Sequence, residues 1–174
     1  MKSFLYIFLS MTIGLSCQNS QVNAQSIPLH GEILITEFMA NPAAVSDTKG
    51  EWVEIMNTTD KSLLLNGITI SDLGSNSHTI SSDNDIVIEP GEFFILARNE
   101  DPNENGGISP DYIYSNFTLG NSEDEIILTS SEDVSIDKLA YNSEWGLRSG
   151  ASFELNVEQT DAISNDFPEN WHSG

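Results

Sequence analysis

Between residues 32 and 72 the chain alternates short runs of β-branched and aromatic residues with turn chemistry, and this alternation constrains the fold more than any other feature. Strand side chains repeat every two residues. Residues 33–39 (ILITEFM) therefore predict Ile33, Ile35 and Glu37 on one face and Leu34, Thr36 and Phe38 on the other. Asn41-Pro42 ends the run, because proline donates nothing to a ladder and moves its neighbour out of the helical region. Residues 51–56 resume as a strand with Val53 and Ile55 on one face and Trp52, Glu54 and Met56 on the other. Asn57-Thr58-Thr59-Asp60 reads as a turn whose side chains bond nearby backbone. Residues 63–71 form a third strand, bent at Asn66-Gly67.

The rest of the chain adds strands to this start. Residues 78–80 read as an edge segment, and 86–88 and 92–97 flank Glu89-Pro90-Gly91, which predicts a hairpin around a type II turn. Further strands are expected over 112–117, 124–129, 134–141 and 152–157, with Val134, Ile136 and Ala140 facing one way. No window beyond residue 24 sustains apolar positions at helical spacing, so the class is all-β. The blocks ILITEFMANP, EWVEIMNTTDKSLLLNGITISD, HTI, IEPGEFFILA, YSNFTLGNSEDEIILT, DKLAY and GASFEL, taken in order over residues 32–155, resemble the lamin-tail domain family and especially its exported bacterial members. The resemblance implies an immunoglobulin-like β-sandwich of about eight to ten short, mostly antiparallel strands. It implies no reaction, since function belongs to sites. Such modules are commonly joined to larger exported hydrolases or surface proteins, which suggests an accessory role.

The expected organisation is an export signal over 1–24, a tether over 25–31, the sandwich over 32–158 and an acidic segment over 159–174. The last segment lacks the Thr-Pro-Gly-like stop found in relatives and reads as a cut-down or unusual end. Residues 1–24 carry Lys2, an apolar run over 4–15 and small residues at Val22 and Ala24, which suits cleavage before Gln25. A bilayer span needs about 20 apolar residues, more than this run holds. Gly14-Leu15-Ser16-Cys17 is similar to a lipoprotein box, so lipidation at Cys17 is the second processing route. The mature protein would have no disulfide, and only the lipid would bring it to a membrane.

The formal charge is −21, with 27 acidic and 6 basic side chains. Loss of residues 1–24 removes Lys2 and no acid, giving −22. Such a surface repels phosphate backbones, so nucleic acid is disfavoured as a partner and the charge reads first as solubility.

Several constellations hold side chains capable of chemistry. Asp101, Asn103 and Asn105 alternate like the start of a calcium loop, with Gly106 at the turn position. Tyr112 stands where the bidentate Glu belongs and Asp111 lies one residue early; Asp101, Asn103, Asn105 and Asp111 are thus the calcium candidates, set against a plain solvated connection. Glu37 and Glu54 on neighbouring strands form a carboxylate pair that would need different environments to divide acid and base roles. The simpler reading is hydrogen bonding at one end of the sandwich. His30, His78 and His172 show no metal-ligand spacing, and no G-x-S-x-G elbow is present. Asn57-Thr58-Thr59 and Asn116-Phe117-Thr118 match glycan acceptor spacing, although turn chemistry explains both. Trp52, Trp145 and Trp171 read as packing before they read as a binding face.

The leading expectation is an exported, non-catalytic attachment or recognition module at the bacterial surface, with a surface protein or glycan as partner and no cofactor. The alternatives are a calcium-dependent binder and an accessory part of an extracellular hydrolase.

Overall fold

The computed structural model describes residues 25–156 and 158–174. Twelve strands run through them: β1 (Ile33–Met39), β2 (Trp52–Asn57), β3 (Leu63–Leu64), β4 (Thr69–Ser71), β5 (Ser77–Thr79), β6 (Val87–Ile88), β7 (Phe93–Ala97), β8 (Tyr112–Ile113), β9 (Asp124–Thr129), β10 (Ser135–Tyr141), β11 (Phe153–Leu155) and β12 (Trp171–Ser173). Helical structure among the described residues is limited to α1 (Asp47–Gly50) and 3-10 turns at Ser143–Trp145, Ser164–Asp166 and Pro168–Asn170. The sequence's missing helical period has this as its counterpart.

A six-stranded sheet in the order β12-β11-β1-β2-β7-β8 faces a four-stranded sheet in the order β10-β9-β4-β5, and β3 pairs with β6 in a two-stranded ribbon. Strand pairs are antiparallel except β7 with β8. One apolar cluster fills the space between the layers, drawing Ile35, Phe38, Val53 and Ile55 from the first and Ile70, Leu128, Ile136 and Leu139 from the second. The sheets meet most closely at β1 and β10, where Phe38 stacks on Tyr141 with ring centroids 4.7 Å apart. Tyr141 lies in apolar surroundings only because its hydroxyl donates to Gly120 O at 2.8 Å.

Two β-bulges correct the predicted faces. In β1 the partner moves from Ile35↔Ile55 to Glu37↔Glu54, so Thr36 is the extra residue. Phe38 thereby joins Ile33 and Ile35 in the core, and Glu37 turns outward with Glu54. In β10 the register shifts between Ser135 and Asp137, which buries Ile136, Leu139 and Tyr141 and leaves Ala140 exposed. Val134, Ile136 and Ala140 therefore do not share a face. Strict alternation fails wherever one strand carries a residue its neighbour does not.

The hairpin expected at Glu89-Pro90-Gly91 also needs correction. The turn forms, with Gly91 at φ 71° and Glu92 N donating to Glu89 O at 3.0 Å. Its flanks then part: β6 pairs with β3 and β7 with β2. Asn57 holds the crossing by donating from Nδ2 to Ile88 O at 3.0 Å and Lys61 O at 2.8 Å. The bend at Asn66-Gly67 likewise carries the chain from the ribbon into the four-stranded sheet. Of residues 112–117 only Tyr112 and Ile113 are strand; Tyr114 and Phe117 turn into the core.

Both ends of the described chain pack on the sandwich. Ser26 bridges to Leu63 and Gly31 N donates to Ile136 O at 2.8 Å, so 25–31 is docked and does not run free. Residues 159–174, set apart in the sequence reading, supply β12, the buried Trp171 and the fully buried Asn165.

Candidate functional site

The bulge at Thr36 sets the geometry of the outer face of the six-stranded sheet. Because Glu37 moves outward there, it stands directly opposite Glu54 on β2 and Glu154 on β11. Three carboxylates from adjacent strands thus form one row, and His172 on β12 continues it opposite Glu154. The His172 Nε2 to Glu154 Oε2 distance is 3.6 Å. Like charges placed directly opposite in a sheet disfavour pairing, so folding alone does not account for this row.

The row borders a groove of about 310 Å³ whose walls include Met56, Phe93 and Leu155 as well as the three glutamates. Phe93 is 49% exposed, a large apolar surface beside half-buried carboxylates. Burial raises the pKa of Glu54 against the pull of the Thr36 hydroxyl, which donates to Oε1 at 2.8 Å. Neighbouring Glu37 and Glu154 raise it further. Glu37 is raised too, again first by burial, with Ser152 and His172 opposing and Glu154 adding. Both carboxyls shift in the same direction, with burial the leading cause. A second groove of about 480 Å³ shares Glu37 and runs past Trp52, Pro42 and Asn105.

The family model of the Lamin Tail Domain matches residues 28–143. The chain belongs to the lamin-tail domain family. Among curated proteins none matches it. The family is one of non-enzymatic immunoglobulin-like domains, in agreement with the two layers described above. The match contains β1 to β10 and so includes Glu37 and Glu54, whereas Glu154 and His172 lie beyond it on β11 and β12.

Asp101, Asn103 and Asn105 bond within their own loop, and Asp111 bonds outside it. Asp101 Oδ1 accepts from Asn103 N and Nδ2, both at 2.9 Å. Asn105 is 3% exposed; its Nδ2 donates to Asn99 O and Ile108 O, and its Oδ1 accepts from Gly107 N and Ile108 N. Asp111 is turned to the sheet edge, where Oδ2 accepts from Ile95 N at 2.8 Å. Asp101 and Asn103 sit together; Asn105 and Asp111 point elsewhere. Cys17 and the export signal lie outside the described residues.

The histidines lie in separate parts of the fold. His30 reaches Ser135 O on the turn before β1, and His78 on β5 accepts from Ser115 N at Nδ1 while Nε2 meets Tyr112 Oη at 3.0 Å. Asn57 is wholly buried, which closes that glycan acceptor position, and its Oδ1 accepts from Thr59 N and Oγ1 as turn chemistry requires. Trp145 and Trp171 belong to the core, whereas Trp52 lines the second groove.

Four functional or buried polar residues escape a reading by motif. Glu154 has the alternation of 152–157 as its signal, since period two sets it opposite Phe153 and Leu155. Glu51 is 2% exposed at the head of β2, where its Oε2 accepts from Arg98 Nη1 at 3.0 Å and Leu119 N at 3.3 Å. Asp137 and its partner Asn165 meet only in the folded chain, 28 residues apart.

Proposed function

We propose that this lamin-tail domain is an exported, non-catalytic recognition module at the cell surface, and that the groove beside Glu37, Glu54 and Glu154 binds a lysine or arginine side chain of a partner protein. The observation that carries the reading is the like-charge row lying half-buried against the exposed ring of Phe93. A long basic side chain has an apolar stem for Met56 and Phe93 and a charged tip for the carboxylates. Filling the groove would offset the repulsion that the fold otherwise sustains. Export is supported by the basic start, apolar run and small residues of 1–24, with cleavage before Gln25 or lipidation at Cys17 as the two routes.

The test is an array of short peptides that differ only in a central Lys, Arg, acetyl-Lys or Glu. Lys and Arg peptides should bind the wild-type domain, and acetylation or the change Glu54→Gln should weaken binding at least about tenfold, the loss expected for a charge-assisted hydrogen bond. Equal binding of all four peptides, or capture of neutral glycans in their place, would overturn the assignment of the groove.

A further inference from the structure

The second buried carboxylate sits on the opposite side of β1 from the groove. Asp137 is 1% exposed and Asn165 wholly buried. Asp137 Oδ2 accepts from Ile35 N at 2.8 Å and from Asn165 Nδ2 at 2.7 Å. Among the described residues, the other oxygen of each group, Asp137 Oδ1 and Asn165 Oδ1, has no hydrogen-bond partner. Two buried orphan acceptors on groups already joined by one bond are costly, and one proton placed between them removes both defects.

We propose that folded Asp137 carries this proton and closes a two-bond acid–amide pair with Asn165, its Oδ1–H donating to Asn165 Oδ1 while Asn165 Nδ2 donates to Asp137 Oδ2, as a pH-dependent latch on the segment ending in β12. The latch reaches β12 through a short path. Asn165 O accepts from Trp171 Nε1 at 2.8 Å, and Trp171 stacks on Phe153 of β11 with interplanar angle 6°. The next residue, His172, pairs with Glu154 at the end of the acidic row. Loosening the latch therefore loosens the edge of the sheet that bears that row.

The surroundings favour the proton. Burial raises the Asp137 pKa to about 7 against the Ile35 N–H, the Asn165 amide and the Lys138 N–H, and Asp166 on the Ser164–Asp166 turn adds to the rise. On β1 and β9 the residues against it are Ile35 and Leu128, neither titratable. Lys138 is exposed and His30 reaches Ser135 O. A folded-state value above the ordinary carboxylate range means that the contribution is complete at low pH and is lost as pH rises through about 7.

Hydrogen exchange of the 161–174 segment at pH 5.5 and 8.5, corrected for intrinsic rates, tests this. Protection in the wild type should fall at least about tenfold across that interval, one pKa unit being a factor of ten. Asp137→Asn carries the missing donor permanently, so its protection should be the same at both values and match the wild type at pH 5.5. Parallel losses in both proteins would overturn the latch. Carboxyl-carbon NMR of wild-type Asp137 gives a second reading that needs no variant: a midpoint near 7 supports the proton, and a midpoint in the ordinary carboxylate range overturns it.

Discussion

The two faces of the six-stranded sheet are made by alternate residues of the same strands, yet folding explains only one of them. Inward, Ile35, Ile55 and Phe94 stand in register, followed by Phe38, Val53 and Leu96; none is more than 7% exposed. Burial of such side chains is the main favourable term in folding. Outward, the corresponding row is Glu154, Glu37 and Glu54, which opposes strand pairing while remaining half out of water. The contrast teaches that strand-forming tendency and structural need are separable here, and that the face which costs stability is the face to examine for recognition.

The largest effect should come from cutting into the inner face. Phe38→Ala removes a ring that touches Tyr141, Phe153 and Trp171, and urea unfolding should show a loss of about 3–5 kcal/mol. A loss no greater than that of an outer-face change would break the comparison between the faces.

Glu51 sharpens the comparison, because it is a buried acid that folding does accommodate. Three residues before Glu54, just ahead of β2, it has Arg98 at 3.0 Å. Burial still raises its pKa to about 7, with Leu119 N and Arg98 opposing. Arg98→Met removes the counter-charge, so the pKa rises further and the ionised form becomes the unfavourable one. Unfolding at pH 8 should show a loss of about 3 kcal/mol, with a smaller loss at pH 5, where Glu51 is protonated. Equal losses at both values would show that the guanidinium contributes packing alone.

The smallest effect has the opposite sign. Glu54→Gln keeps the bond from Thr36 and removes one charge from the row, so the domain should gain up to about 1 kcal/mol at pH 8. Glu54 has a raised pKa, so its ionised form opposes folding as pH rises. The gain should therefore vanish near pH 4, where the wild-type carboxyl is already neutral. Destabilisation at pH 8 would mean that the row supports the fold.

Much of the fold was legible in the order of short β-rich runs, because alternation and turn chemistry are local. The faces of 51–56 and the turn at Pro90-Gly91 needed no knowledge of distant residues. What escaped was set by pairing. Thr36 bulges because β2 offers no residue opposite it, and Glu89-Pro90-Gly91 joins two sheets because β3 and β2 are the partners available to its flanks. The candidate site was half legible: Glu37 and Glu54 stood out as neighbouring carboxylates, but predicted alternation set Glu37 with the core-facing Ile33 and Ile35, and only the bulge brings it to the outer row. Glu154 and His172 join through β11 and β12, at least 100 residues later in the sequence than Glu37 and Glu54. The loop at 101–111 shows the converse, since alternating oxygen side chains suit a turn that satisfies its own backbone as well as they suit a cation.

The most direct measurement of the central claim is a carboxyl-carbon NMR titration of Glu37, Glu54 and Glu154 in the free domain and with a saturating lysine peptide. Recognition of a cation by the row predicts raised midpoints for Glu37 and Glu54 in the free protein and a fall of both on binding, while inner-face resonances stay still. Midpoints that do not move with the peptide, or peptide-induced shifts confined to another surface, would contradict it.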